Sequence, residues 1–371
     1  MLDRLLCGIA LCAAVGCSED PGAKQGGRDA GTDAVGPRDA ASDVRAEAAP
    51  DASDASVDDL LSQTGLFEDV ATERLAAGVV PYQPRYELWS DGAQKRRWLY
   101  LPPGTRIDST NMDYWVYPQG TKLWKEFVRD GVRVETRLLH KRGADPSSWF
   151  MMAYQWNAQQ SDAVALPGGA SNVHGTAHDV PDQTACGTCH DNMPDRVLGV
   201  SAIQLSHALP GATLTTLAAD GRLTTLPAPS GYTVPGTETE RRALGYLHAN
   251  CGNCHNPTGS IFSRVCLDLW LSTRALASVR ATTIYASSYG VRVSSQSAPS
   301  GVDCRLTGQS VANSALYSRM NTRGQDTQMP PLASEIVDDA GLGMVGAWIA
   351  ELAAAGACTG DCDAPFDAGT R

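Results

Sequence analysis

Several things are scarce in this 371-residue chain, and each scarcity excludes something. No stretch of eighteen apolar residues occurs, so no segment reads as a membrane-spanning helix. Net positive charge is lacking: the formal charge is −11. Nothing resembles a cationic nucleic-acid surface, and no nucleic-acid partner is expected. Aromatic residues are missing before Phe67, and the stretch 18–58 is built from Ala, Asp, Gly, Ser and Pro. Such a segment buries too little apolar surface to offset its chain entropy and reads as a disordered tether. The first 58 residues hold eleven acids against five bases, a net −6 that leaves −5 for the remaining 313 residues. The rest of the chain is therefore only mildly acidic.

Ahead of the tether, Arg4 and the apolar run Leu5–Val15 have the layout of an export signal. The run ends in Ala14-Val15-Gly16-Cys17, small residues before a cysteine. This arrangement resembles a bacterial lipoprotein signal, 1–17, in which Cys17 becomes lipidated. The expected location is the cell envelope, at the outer membrane facing the periplasm or at the cell surface. The membrane partner is reached through that lipid anchor alone.

Residues 59–180 read as a β-rich domain. Six of the eight tryptophans fall between Trp89 and Trp156. Alternating runs cover Trp98–Leu101, Tyr114–Tyr117, Leu123–Val128 and Val132–Leu139, with turn residues between them. Asp130-Gly131 predicts a hairpin. The expected fold is α+β and multidomain: an antiparallel β-sandwich or barrel-like domain, then a mostly α-helical region. Two polar stretches, Leu88–Trp98 and Trp156–Ala163, read as hydrogen-bond networks joining loops to the sheet rather than as a docking edge.

Eleven cysteines are present. Four of them form two Cys-x-x-Cys-His motifs, Cys186–Cys189–His190 and Cys251–Cys254–His255, 65 residues apart. Two thiols about one helical turn apart can form thioethers to the two vinyl groups of haem, and the adjoining histidine falls under the iron. One copy alone could be half a zinc site or a redox dithiol; two copies in an exported chain point to two c-type haems. The candidate cofactor-binding residues are thus Cys186, Cys189, His190, Cys251, Cys254 and His255. Cys266, Cys304, Cys358 and Cys362 remain for disulfides. Three pairings are open, and Cys266–Cys304 with Cys358–Cys362 is preferred because the second closes a short loop.

The second motif, in 236–371, has the fuller context. Thr237 and Glu240 form a capping-box pattern opening a helix. Leu244, Leu247 and Cys251 share one face of it. Downstream, Gln328-Met329-Pro330-Pro331 offers Met329 as the distal iron ligand, its thioether raising the potential. Met320 fits a helix core instead. A last helix begins at Asp338 or Asp339, carries Leu342, Val345, Trp348 and Leu352, and stops at Gly356. Together these parts look like the small class I cytochrome c fold. The first motif, in 181–235, is less complete, because no methionine occurs between Pro194 and Arg319. Its sixth ligand is open among His174, His178, His207 and His248, a distant methionine, or none.

The order of these parts, over residues 60–355, resembles a family of exported bacterial di-haem c-type cytochromes. The resemblance rests on Glu87-Leu88-Trp89-Ser90-Asp91-Gly92-Ala93 with Lys95 and Trp98, and on Pro118, Gly120, Thr121, Lys125 and Phe127. Val197-Leu198-Gly199, Gln204-Leu205, Asn250–Pro257 and Met329-Pro330-Pro331 complete it. It implies iron-containing haem cofactors and electron transfer with other redox proteins of the envelope. The competing expectation is an enzyme, a di-haem peroxidase-like oxidoreductase with an open first haem.

Overall fold

The Asp130-Gly131 turn organises the β-rich half. In the computed structural model both residues take left-handed backbone angles, φ 51° and 80°. A two-residue hairpin turn needs that pair of conformations to match the strand twist, and glycine adopts it freely. The structure describes residues 58–293, 299–332 and 334–360, all within one compact unit. Cys17, the signal, the tether up to residue 57 and Cys362 lie outside the described residues.

Strands β1 (Phe67–Asp69) and β2 (Arg74–Leu75) form a small antiparallel pair. Six more strands form one antiparallel sheet in sequential order. They are β3 (Val79–Pro81), β4 (Gln94–Tyr100), β5 (Lys122–Arg129), β6 (Val132–Lys141), β7 (Trp149–Trp156) and β8 (Ala163–Ala165). The antiparallel β-rich region is as expected. Among the described residues β3 and β8 do not pair with each other, so the six strands do not close into a barrel; single bridges border them, Leu60 to Val164 on β8 and Ala212 N–H to Pro81 O on β3.

Alternation sorts the side chains to two faces. Trp98, Trp124, Leu138 and Met152 stand in one cross-strand row and pack under Leu61, Leu66 and Phe67. Leu99, Leu123, Leu139 and Met151 form the neighbouring row on the opposite face. The second face is covered by later chain, through Val197, Val200, Leu205, Leu214, Leu217 and Leu223. Helix α1 (Ala185–His190) and helix α2 (Leu214–Ala219) belong to this covering layer. A buried ion pair pins it: Lys141 Nζ donates to Asp195 at 2.5 and 2.8 Å. Asp195 also accepts from Tyr117 N–H at 2.6 Å and Trp149 Nε1 at 3.1 Å, so its charge is fully partnered.

The run Tyr114–Tyr117 does not form a strand. Val116 makes a lone bridge to Asp108, and the aromatic residues are used to hold later segments instead. The Tyr117 hydroxyl donates to Val200 O at 2.8 Å, and Tyr114 stacks on Trp270. Alternation alone could not distinguish this loop from a strand.

The later elements are helices joined by irregular segments. Helix α3 (Glu238–Asn250) is followed by α4 (Phe262–Val265), α5 (Thr283–Ser288), α6 (Ala315–Met320) and α7 (Asp339–Glu351). The capping box of α3 is present: Glu240 N donates to Thr237 Oγ1 at 3.2 Å, and Thr237 N donates to Glu240 Oε2 at 2.7 Å. Asp338 caps α7 through Gly341 N at 2.9 Å. Helix α7 ends at Glu351, before Gly356. Its Leu342, Val345, Trp348 and Ile349 share a core with Leu244, Leu247 and Met320. A Cβ at Gly341 would lie 2.1 Å from the Tyr246 ring, so α3 and α7 meet only because α7 has no side chain there. No helix among the described residues is long and apolar enough to cross a membrane.

Cys304 is bonded to Cys358, separated by 54 residues, and Cys266 is also disulfide-bonded. The expected Cys266–Cys304 and Cys358–Cys362 pairs are therefore corrected. The backbone of Thr359 and Gly360 pairs with Gly290 and Arg292, which carries Cys358 back to the segment holding Cys304.

Candidate functional site

The first motif lies on a six-residue helix, α1, with Cys186 and Cys189 as free thiols. His190 Nδ1 lies 2.5 Å from the carbonyl of Arg196. A carbonyl only accepts, so Nδ1 must carry the proton and Nε2 keeps its lone pair. Burial pushes the imidazole down to about 4, so it stays neutral and able to ligate at neutral pH.

The second motif begins where α3 ends. Cys251 N donates to Leu247 O at 2.9 Å, and His255 N donates to Cys251 O at 2.9 Å. A Cβ at Gly252 would fall 2.7 Å from the carbonyl oxygens of both His248 and Leu269, so the turn through the motif requires glycine. His255 Nδ1 is buried without a hydrogen-bond partner. Burial, then the charges of Arg319 and Arg305, push its imidazole down to about 4. The carbonyl of Arg319 accepts from Met329 N–H at 3.0 Å, so one residue borders both His255 and the methionine loop. Arg323 holds the loop from the other side, donating to Met320 O at 2.9 Å and Ser334 Oγ at 3.1 Å.

Burial raises all four motif thiols, Cys251 to about 12 and Cys254 to about 11. A redox dithiol needs the opposite, a thiol whose acidity is enhanced by nearby positive charge or a helix N-terminus. A bare zinc ion needs four converging ligands. Among the described residues no group of three or more His, Cys, Asp and Glu side chains could hold a metal ion.

The two motifs, far apart in sequence, are joined through Asn192. Its Nδ2 donates to Thr188 O at 2.8 Å and lies 3.8 Å from Cys254 Sγ. Its Oδ1 accepts from both the amide and the hydroxyl of Ser260, each at 2.9 Å. Its main-chain oxygen accepts from Thr258 Oγ1 at 3.0 Å and Asn256 Nδ2 at 3.3 Å. Asn192 and Asn256 are both buried. The sequence reading missed this residue. The only available signal was an asparagine two residues after one motif and another directly after the second.

The four candidate histidines differ. His207 is used at both nitrogens, Nε2 to Gln83 O at 2.7 Å and Nδ1 to Leu209 N at 3.0 Å. His248 is fully buried, and its Nδ1 accepts from Leu271 N–H at 3.1 Å. That puts its proton on Nε2, which is then the wrong tautomer to ligate. His174 Nε2 pairs with Trp156 O at 2.7 Å. His178 is buried with Nε2 at 2.8 Å from Glu135 Oε1. Glu135 also binds Arg137, whose charge acts on Cys186 and Cys189.

The polar stretch Leu88–Trp98 is a hydrogen-bond network, but it reaches beyond the sheet. Trp89 N donates to Asn250 Oδ1 at 2.6 Å, and Trp89 Nε1 to Ile336 O at 3.1 Å. Asp91 accepts from the amides of Glu335 and Ile336 at 3.0–3.1 Å. The loop after β3 thus grips both the end of α3 and the segment behind Met329. In the second stretch, Gln160 and Asp162 tie to Arg133 and Ser62. No known protein family, curated protein or solved structure matches this chain.

Proposed function

We propose that this protein is an exported di-haem c-type cytochrome that passes electrons between redox partners of the cell envelope. The observation that carries the proposal is the joining of two Cys-x-x-Cys-His motifs by one buried asparagine. Two independent zinc or dithiol sites would have no need of such contact, whereas a pair of redox centres exchanges electrons only at short range.

The residues present fit the cofactor. The motif thiols are free while Cys266, Cys304 and Cys358 are bonded. Burial raises their pKa values and keeps them as protonated thiols until thioethers form. His190 has Nε2 unencumbered, and His255 retains a ring nitrogen without a hydrogen-bond partner. Cys186, Cys189 and His190 would hold one haem; Cys251, Cys254 and His255 would hold the other, with Met329 as its distal ligand. Bound haem supplies a reversible one-electron iron couple.

The chain's own residues orient and shield the pair. Arg196 fixes the His190 tautomer. Arg319 and Arg323 hold the Met329 loop. The Trp89–Asp91 loop ties that loop to α3, and Asn192 fixes the spacing between motifs. The α3–α7 core excludes water on one side of the second motif, in keeping with a class I cytochrome c-like unit. Membership of the resembled di-haem family, and attachment to the envelope through lipidated Cys17, belong to the same proposal. The test is the mass of the denatured protein after expression with a c-type haem-maturation system. A gain of two haems per chain is expected; the mass of the bare polypeptide would refute the reading.

A further inference from the structure

The face of the sheet that meets the first motif carries an unusual row. Arg97 on β4, Lys125 on β5 and Arg137 on β6 lie directly opposite one another in register. Like charges in directly opposed positions repel. They sit on the same face as Leu99, Leu123 and Met151, the core against which Cys186 packs. Arg97 is buried, and Lys125 and Arg137 are partly so.

Local carboxylates do not balance the row. Glu135 pairs with Arg137 at 2.6 Å and also meets His178. Glu87, largely exposed, pairs with Arg97 at 3.1 Å. Lys125 has neither a carboxylate nor a carbonyl within hydrogen-bond reach among the described residues, and its ammonium lies 4.8 Å over the Phe127 ring. Nearby Lys95 donates to Leu88 O at 2.8 Å. With Asp338 also acting on Lys95, these four cations face three carboxylates, leaving a surplus of one positive charge centred on Lys125. Burial, then the charges of Arg97, Arg137 and Lys95, drive the Lys125 ammonium well below its usual range. A group in that state gains most from an added anion. The surplus is directed at the first motif: Arg137 acts on Cys186 and Cys189, and Lys125 on Cys189 and His190.

We propose that Arg97, Lys125 and Arg137 form the anion cradle for the two propionate carboxylates of the haem attached at Cys186 and Cys189. The inference rests on the haem reading above. The carboxylates match the surplus in sign, and guanidinium groups bind carboxylates in a forked, directional way. No corresponding row exists at the second motif among the described residues, where Arg305 and Arg319 are the charges that act on His255. The cradle would hold the first haem's edge against the sheet and favour its reduced state, because added electron density is stabilised by nearby positive charge.

The test uses purified full-length holoprotein. Haem content is counted first, then each haem is titrated by potentiometry, and the propionate bending modes are read by resonance Raman. In Lys125→Met, one haem should shift at least tenfold toward its oxidised form, a fall of about 59 mV for one electron. Its propionate mode should move, while the other haem stays as it was. Lys125→Arg should restore both. If Lys125→Met does not accumulate, Arg97→Gln is measured in the same way with the same expectation. Two attached haems with unchanged potentials and propionate modes would overturn the cradle and leave the haem reading standing. Absence of covalent haem in the unsubstituted chain would overturn the haem reading itself.

Discussion

The two Cys-x-x-Cys-His motifs are held by different physics. The one at Cys251 extends a 13-residue capped helix whose apolar side is buried against α7. Its support is local, made by residues close in sequence and by one helix crossing. The one at Cys186 sits on a six-residue helix with no buried residue of its own. Its position comes from the sheet: Asp195 is pinned by Lys141, Tyr117 and Trp149, and Arg137 faces the thiols. A short helix is not stable by itself, so the first site borrows rigidity from strands that precede it. Similar motifs therefore do not imply similar sites.

The largest effect expected from breaking this comparison is loss of one centre. Cys251→Ser with Cys254→Ser should remove one of the two haems and halve the visible absorbance. The first haem should remain attached, since its support lies in the sheet. Loss of both would show that the sites fold as one.

Acidification should separate the regions next. Burial pushes His248 down to about 3 from its ordinary 6.5. The unfolded chain thus binds a proton that the folded chain refuses, and stability falls as pH drops from about 6.5 toward 3. The contribution is on the order of a few kcal/mol. Denaturant titrations should show this loss in the native chain and a flatter profile in His248→Gln. Equal slopes would rule out His248 as the source.

A smaller loss is expected at the helix crossing. Gly341→Ala forces a methyl group into the Tyr246 ring and should cost about 1–3 kcal/mol by overpacking. Thermal unfolding would measure it, and the potential of the first haem should not move. Met329→Ala is expected to act on the second haem alone, lowering its potential by about 59 mV or more, a tenfold change in the reduction equilibrium. An unchanged titration would remove Met329 from the ligand set.

What was legible in the sequence follows from range. Asp130-Gly131, the Thr237–Glu240 box and the Asp338 cap act over a few residues, and each formed where its pattern lay. The two Cys-x-x-Cys-His motifs were equally plain, because each is contiguous in the chain. Most failures were long-range; the end of α7 at Glu351 rather than Gly356 was local. Cys304–Cys358 depends on Thr359 and Gly360 returning to Gly290 and Arg292, which no spacing encodes. Tyr114–Tyr117 alternates like a strand but is spent on Val200 and Trp270. Asn192 becomes meaningful only once both motifs meet, and the row of Arg97, Lys125 and Arg137 only once strand register is known.

The central claim is that the two motifs carry one coupled redox pair, and electron paramagnetic resonance of the oxidised and half-reduced holoprotein tests it most directly. Two haem signals are expected, with the signal of one altered when the other is reduced, because Asn192 holds the motifs in contact. Two signals blind to each other would contradict it.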